Sequence, residues 1–134
     1  MTSLSTALIG TWELVSREDR DRAGELVPEP LLGSDPLGLL IYDASGRFAL
    51  QLMRRKRAGK SKASGYDAYF GTYVVDEKRR IVTQTLQGAL SPEHVGGAVT
   101  RKMSVKGEAL TIQLDTKNVR GEAVTRRLCW RRVA

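Results

Sequence analysis

Between residues 9 and 131 the chain alternates apolar and polar side chains with a period of two. Nowhere does it sustain the three-to-four spacing of an amphipathic helix. The alternating runs fall at 9–17, 37–42, 47–53, 69–76, 81–87, 98–105, 109–115 and 123–131, which makes eight substantial strands. The turns agree with this reading. Asp43-Ala44-Ser45-Gly46 joins the second run to the third with Asp first and Gly last, and Lys106-Gly107 joins the sixth to the seventh. A brief extra strand is expected at 25–27, before Pro28 and Pro30 stop it. Eight antiparallel strands must stack as a sandwich or close on themselves. Short sequential connections and long first and last strands favour an all-β, eight-stranded antiparallel up-and-down closed barrel, which leaves no exposed edge. Such an interior is nearly filled by side chains or holds one small ligand.

At 134 residues the chain is expected to form a single domain, 1–134. No apolar run approaches the ~18 residues of a membrane span, and residues 1–8 lack the cationic start and apolar stretch of a signal peptide. The single cysteine, Cys129, allows no internal disulfide, so a reduced, cytoplasmic location is expected. Cys129 lies in an apolar strand, where a small hydrophobe is the simpler role. The lone His94 and the lack of any Cys/His or Asp/Glu cluster at ligand spacing predict no metal, and no cofactor motif is present.

Charge is concentrated. Of the formal net +7, six positive charges lie within nine residues, from Arg54 to Lys62, so the remainder is nearly neutral. No aromatic side chain is interleaved in this basic loop 54–62, which sets nucleic-acid binding below a solvated loop or an electrostatic collar for an anionic ligand or acidic partner. A second charged stretch, Arg17 to Arg22, mixes both signs and reads as exposed, inside a connection running from Glu18 to Asp35.

Gly10-Thr11-Trp12 opens the first strand and is echoed by Gly71-Thr72-Tyr73 in the fourth. Several further stretches keep a fixed order along the chain: Gly38-Leu39-Leu40-Ile41-Tyr42 with Gly46, Gln51-Leu52-Met53-Arg54, Tyr69-Phe70-Gly71-Thr72-Tyr73 with Val75-Asp76-Glu77, Arg101, Leu110-Thr111, and Leu128 with Trp130-Arg131-Arg132. This ordered set resembles the bacterial and fungal lipocalin-like domain family, of calycin-type architecture. The resemblance implies a lipocalin-like barrel for small, largely apolar molecules and transfers no catalytic residue. In the classical lipocalins the tryptophan of the Gly-x-Trp motif closes one barrel end beneath a last-strand arginine. By that likeness Gly10 and Trp12 form the closed end here, with Arg131 or Arg132 over the indole. The chain also departs from the pattern. The helical insertion common before the Tyr-Phe-Gly-Thr-Tyr stretch is replaced by the basic loop, a histidine common near Gln84 and Thr85 is absent, and His94 stands where a tryptophan is common.

Alternation points Arg126 the same way as Val124, Leu128 and Trp130, and Arg101 the same way as Val99, Met103 and Val105. An arginine inside an apolar barrel needs a carboxylate, from the protein or from a ligand. Arg101 and Arg126 are therefore candidate grips for an anionic or carbonyl head group; the alternatives are that they sit at barrel ends and reach solvent, or pair with an acid such as Glu13. Tyr42, Tyr73 and Gln84 are the polar-tipped side chains placed to orient a ligand. The leading function is binding of a small, largely apolar or amphipathic molecule, an anionic head group being one alternative. The alternative is a cofactor-free isomerase, cyclase or hydratase acting on a small biosynthetic intermediate, a secondary-metabolism role by analogy alone. No nucleophile set or paired carboxylates mark the second reading, and His94, in a Pro-Glu-His-Val-Gly loop, reads as a surface residue. A homodimer is the default assembly, with a barrel flank beside the short 54–68 connection as its contact.

Overall fold

The computed structural model describes residues 2–56 and 65–134. Nine strands follow one another: β1 (Gly10–Arg20), β2 (Leu26–Val27), β3 (Leu37–Tyr42), β4 (Arg47–Met53), β5 (Tyr66–Asp76), β6 (Ile81–Ala89), β7 (Ala98–Lys106), β8 (Ala109–Lys117) and β9 (Ala123–Arg132). From β3 onward each pairs antiparallel with the next, β3 pairs with β1, and β9 returns to β1 from Trp12↔Arg132 to Arg20↔Thr125. The result is a closed eight-stranded up-and-down barrel. The short β2 lies outside this cylinder and pairs only with Asp19 and Arg20 of β1.

Alternation drives the closure. On β4, Phe48, Leu50 and Leu52 are buried while Arg47, Ala49 and Gln51 face water. The β3–β4 turn is tied by Asp43, whose Oδ1 accepts from the Ser45 amide at 2.9 Å, with Gly46 at φ +87°. Gly71 answers a different need. Opposite it β6 carries one extra residue, and a Cβ at Gly71 would collide with the Thr85 carbonyl oxygen. Gly10 likewise has φ +148° and runs against the C-terminal backbone, where a Cβ would lie 2.7 Å from the Ala134 oxygen. The two Gly-Thr-aromatic stretches thus mark two places of close backbone approach, each followed by an inward aromatic ring.

One end of the barrel is plugged. A short helix not anticipated from the periodicity, α1 (Leu4–Leu8), buries Leu4 and Leu8 completely, and its first amides donate to the Glu77 carboxylate at 2.7 and 3.0 Å. Trp12 Nε1 donates to the Leu8 carbonyl at 3.0 Å, and the Arg132 guanidinium carbon sits 4.3 Å from the indole centroid. Arg132 also donates to the carbonyls of Ile9 and Ala7. Arg131 points outward and pairs with Glu13 at 3.0 Å, so of the two arginines only Arg132 covers the tryptophan.

Two expectations need correction. The first strand does not stop near residue 17, and the charged run after it is not wholly exposed. β1 continues to Arg20, with a bulge between Leu14 and Ser16. Trp12 and Leu14 face inward before the bulge; beyond it the phase switches, and the side chains of Arg17 and Asp19 turn into the barrel. Residues 57–62 of the basic loop lie outside the described residues. No helix among the described residues is long and apolar enough to cross a membrane.

Candidate ligand site

The apolar plug around Trp12, Trp130, Leu40 and Leu110 fills the closed half, and above it the barrel keeps a cavity of about 660 Å³. That volume falls in the range of ligand pockets of roughly 300–1,000 Å³. Leu50, Leu52, Leu86, Val99, Leu114 and Leu128 form its apolar wall. Polar side chains interrupt that wall, among them Arg17 from β1, Asp67 and Tyr69 from β5, Arg101 from β7 and Arg126 from β9.

Their states differ. Arg126 is committed to Asp19 in a two-point contact, Nε to Oδ1 at 2.8 Å and Nη2 to Oδ2 at 3.0 Å, with the Asp19 side chain fully buried. The partner is therefore Asp19, reached through the β1 bulge, and not Glu13. Arg17 has only a looser attachment. Its Nη1 lies 3.3 Å from Glu29 Oε2, both side chains being 6% exposed, yet its Nε and Nη1 have no hydrogen-bond acceptor among the described residues. Burial, reinforced by the nearby Arg126 charge, pulls the Arg17 pKa down. Tyr69 is pushed the other way. Burial raises its phenol above the ordinary value, and the adjacent Arg101 guanidinium opposes the rise. Arg101 itself stays half-buried, with Nη1 donating to the Thr100 carbonyl at 3.1 Å.

Arg101 and Arg126 both reach the cavity. Tyr42 and Gln84 bond to each other beneath it, Gln84 Nε2 donating to the Tyr42 hydroxyl at 2.6 Å, with Met103 Sδ at 3.9 Å beyond. Burial raises the Tyr42 pKa strongly. Tyr73 packs its ring edge-on to Tyr42, 4.8 Å between centroids, and donates its hydroxyl to the Asp43 carbonyl at 2.8 Å. These three side chains belong to the plug and its turn, not to the cavity wall. Tyr69, by contrast, shares the phase of Tyr73 on β5, and strand alternation was signal enough to find it. Arg17 had no such signal, because nothing around Val15 announces a bulge.

Among the described residues, the open end is only partly covered. The segment 28–35 crosses it between β2 and β3. Leu32 is 1% exposed, its amide donates to Glu29 at 2.6 Å, and Arg54 donates to the carbonyls of Pro30 and Leu31. The described residues leave the opposite rim uncovered, and Glu93, His94 and Gly97 before β7 and Asp115, Thr116 and Lys117 at the end of β8 border it. Comparison with curated proteins returns no match. A family model described as a lipocalin-like domain matches residues 9–133, nearly the whole chain.

Proposed function

The chain belongs to the lipocalin-like domain family, and we propose that this barrel binds a small, largely apolar molecule carrying one anionic group. Arg17 carries the reading. A guanidinium shielded from water whose Nε and Nη1 lack acceptors is costly, because each buried unmatched donor costs about 1–3 kcal/mol. An oxyanion in the cavity supplies those acceptors. Arg101 and the Tyr69 hydroxyl add donors from β7 and β5, and the leucine and valine wall takes the apolar body. Arg126 plays a different part from the one expected of it. With its fork closed on Asp19, it holds β9 to β1 and helps shape the wall.

A pair of fluorescent probes tests this. 8-Anilino-1-naphthalenesulfonate is an anionic apolar molecule, and N-phenyl-1-naphthylamine is its uncharged counterpart. The wild-type protein should hold the sulfonate more tightly than the amine. Arg101→Met and the double variant Arg17→Met/Glu29→Gln should each lower sulfonate affinity about tenfold, roughly the worth of one charge-assisted hydrogen bond, and leave the amine almost unmoved. Equal losses for both probes would sink the anion reading and leave a plain apolar pocket.

A further inference from the structure

Accepting that reading of the cavity, we infer that the ligand reaches it through the side of the barrel, between β7 and β8. The β7–β8 ladder runs from Lys106↔Ala109 to Lys102↔Gln113 and stops there. Both strands continue beyond that point. β7 stays paired with β6 back to Ala98, and β8 stays paired with β9 on to Lys117. Carrying the register forward sets Arg101 opposite Leu114 and Thr100 opposite Asp115, the first two facing positions past the end of the ladder. The same four residues border the internal cavity and also an outer groove of about 290 Å³ on the barrel wall. The two hollows therefore lie on either side of the wall where the strands part.

The part of the barrel end beneath segment 28–35 offers a poorer route. No residue of 21–36 borders the cavity, and the segment crossing that end is held by Leu32 in the core, by the Arg17–Glu29 pair and by Arg54 on two carbonyls. Lifting it would strip Leu32 from its packing and separate a buried ion pair. Parting β7 from β8 over residues 98–101 and 114–117 breaks no ladder pair, since none is formed there. A molecule passing this way runs along Arg101, which borders both hollows. The groove outside carries Lys102 and Gln113 beside the Asp115 carboxylate, so an anionic end finds cationic and hydrogen-bonding groups on both sides of the opening, with one acid at its edge.

A reversible cross-link across the seam tests the route. In a Cys129→Ser background, Thr100→Cys/Asp115→Cys places two thiols at facing positions, and mass spectrometry verifies the disulfide. Stopped-flow binding of 8-anilino-1-naphthalenesulfonate to the oxidised form should show association and dissociation both slowed about tenfold or more, with Kd moving less than about twofold, and reduction should restore the rates. A group that only guards a passage changes both rates together. Unchanged rates in the cross-linked protein would overturn the inference while leaving the binding reading intact. Failure of the sulfonate to bind the wild-type protein would remove both. Should the thiols not join, Thr100→Trp narrows the groove with one ring; slower binding again supports the seam, and unaltered rates refute it. Arg54→Ala, which loosens the segment over the barrel end, should leave the rates as they are. A marked acceleration there would move the route to the end.

Discussion

At the closed end Arg132 lies over Trp12 and donates to the carbonyls of Ile9 and Ala7, and Trp12 itself donates to Leu8. At the open end Arg17 is at least as well shielded, but two of its three nitrogens have no acceptor among the described residues. Both ends bury a cation beside apolar side chains. They differ in who completes it. The closed end is completed by backbone within a few residues of the chain termini, and it contributes stability. At the open end the described residues provide no acceptor for two of the Arg17 nitrogens, and that asymmetry is what supports the proposal that recognition occurs there.

The largest effect should therefore come from the plug. Trp12→Ala removes a fully buried indole together with its bond to Leu8 and the surface under Arg132. The expected loss is about 3–5 kcal/mol in urea unfolding, equivalent to a melting temperature lower by roughly 10–20 °C for a chain of this size. A variant with near wild-type stability and lost sulfonate binding would reverse the assignment of the two ends.

Next in size is the pair that joins the open end across the sheet closure. Asp19→Ala leaves the Arg126 guanidinium without its two-point partner, and Asp19 is 2% exposed. Breaking one side of such a pair should cost about 2–4 kcal/mol, whereas Asp19→Leu/Arg126→Met, which removes both charges, should cost clearly less than the single change. A double-mutant cycle measures the difference. Additive losses would mean that the contact is incidental.

The ends were also unequally readable from the sequence. The likeness to the lipocalin-like family implies that Trp12 closes one end beneath Arg131 or Arg132, and the structure selects Arg132. Arg17 and Asp19 read as part of an exposed charge run, since strict alternation from Trp12 puts residues 12, 14 and 16 on one face. A single extra residue near Val15 exchanges the faces, and no glycine or proline marks it. Asp19 then meets a partner 107 positions away, a pairing that local pattern does not encode. The same holds for the lid. Residues 28–35 have no period, and only packing reveals that Leu32 is core. Tyr69 and Arg101 lay in readable phase, and Tyr42, Tyr73 and Gln84 were in phase too, but depth along the barrel, which separates plug from cavity, is not a periodic property.

Depth can be probed by alkali. Burial raises the pKa of both Tyr42 in the plug and Tyr69 in the cavity. Their neutral phenols persist in the folded state at pH values where the unfolded chain ionises. Stability is thus complete below the ordinary phenol value of about 10 and falls as the pH climbs above it, by up to about 1.4 kcal/mol per unit for each tyrosine. Urea midpoints collected between pH 9 and 11 should decline with this slope, and Tyr69→Phe should remove part of it. A slope untouched by Tyr69→Phe would place that ring in solvent and open the cavity wider than described.

The smallest expected change in stability is at the site itself. Arg17→Met/Glu29→Gln deletes a buried ion pair whose charged groups sit 3.3 Å apart without a hydrogen bond to Arg17 Nη1. Desolvation of two charges roughly cancels their attraction, so the unfolding free energy should move by no more than about 1 kcal/mol in either direction. Glu29 Oε2 also accepts from the Leu32 amide, and glutamine keeps an oxygen for that role, so the lid should stay seated. The comparison between the ends turns on this contrast. Trp12→Ala should cost several kcal/mol, while this double change should cost almost none and still abolish the preference for the sulfonate over the amine. A loss of 3 kcal/mol or more from the double variant would show that Arg17 acts as a structural brace like Arg132, and the two ends would then differ in degree and not in kind.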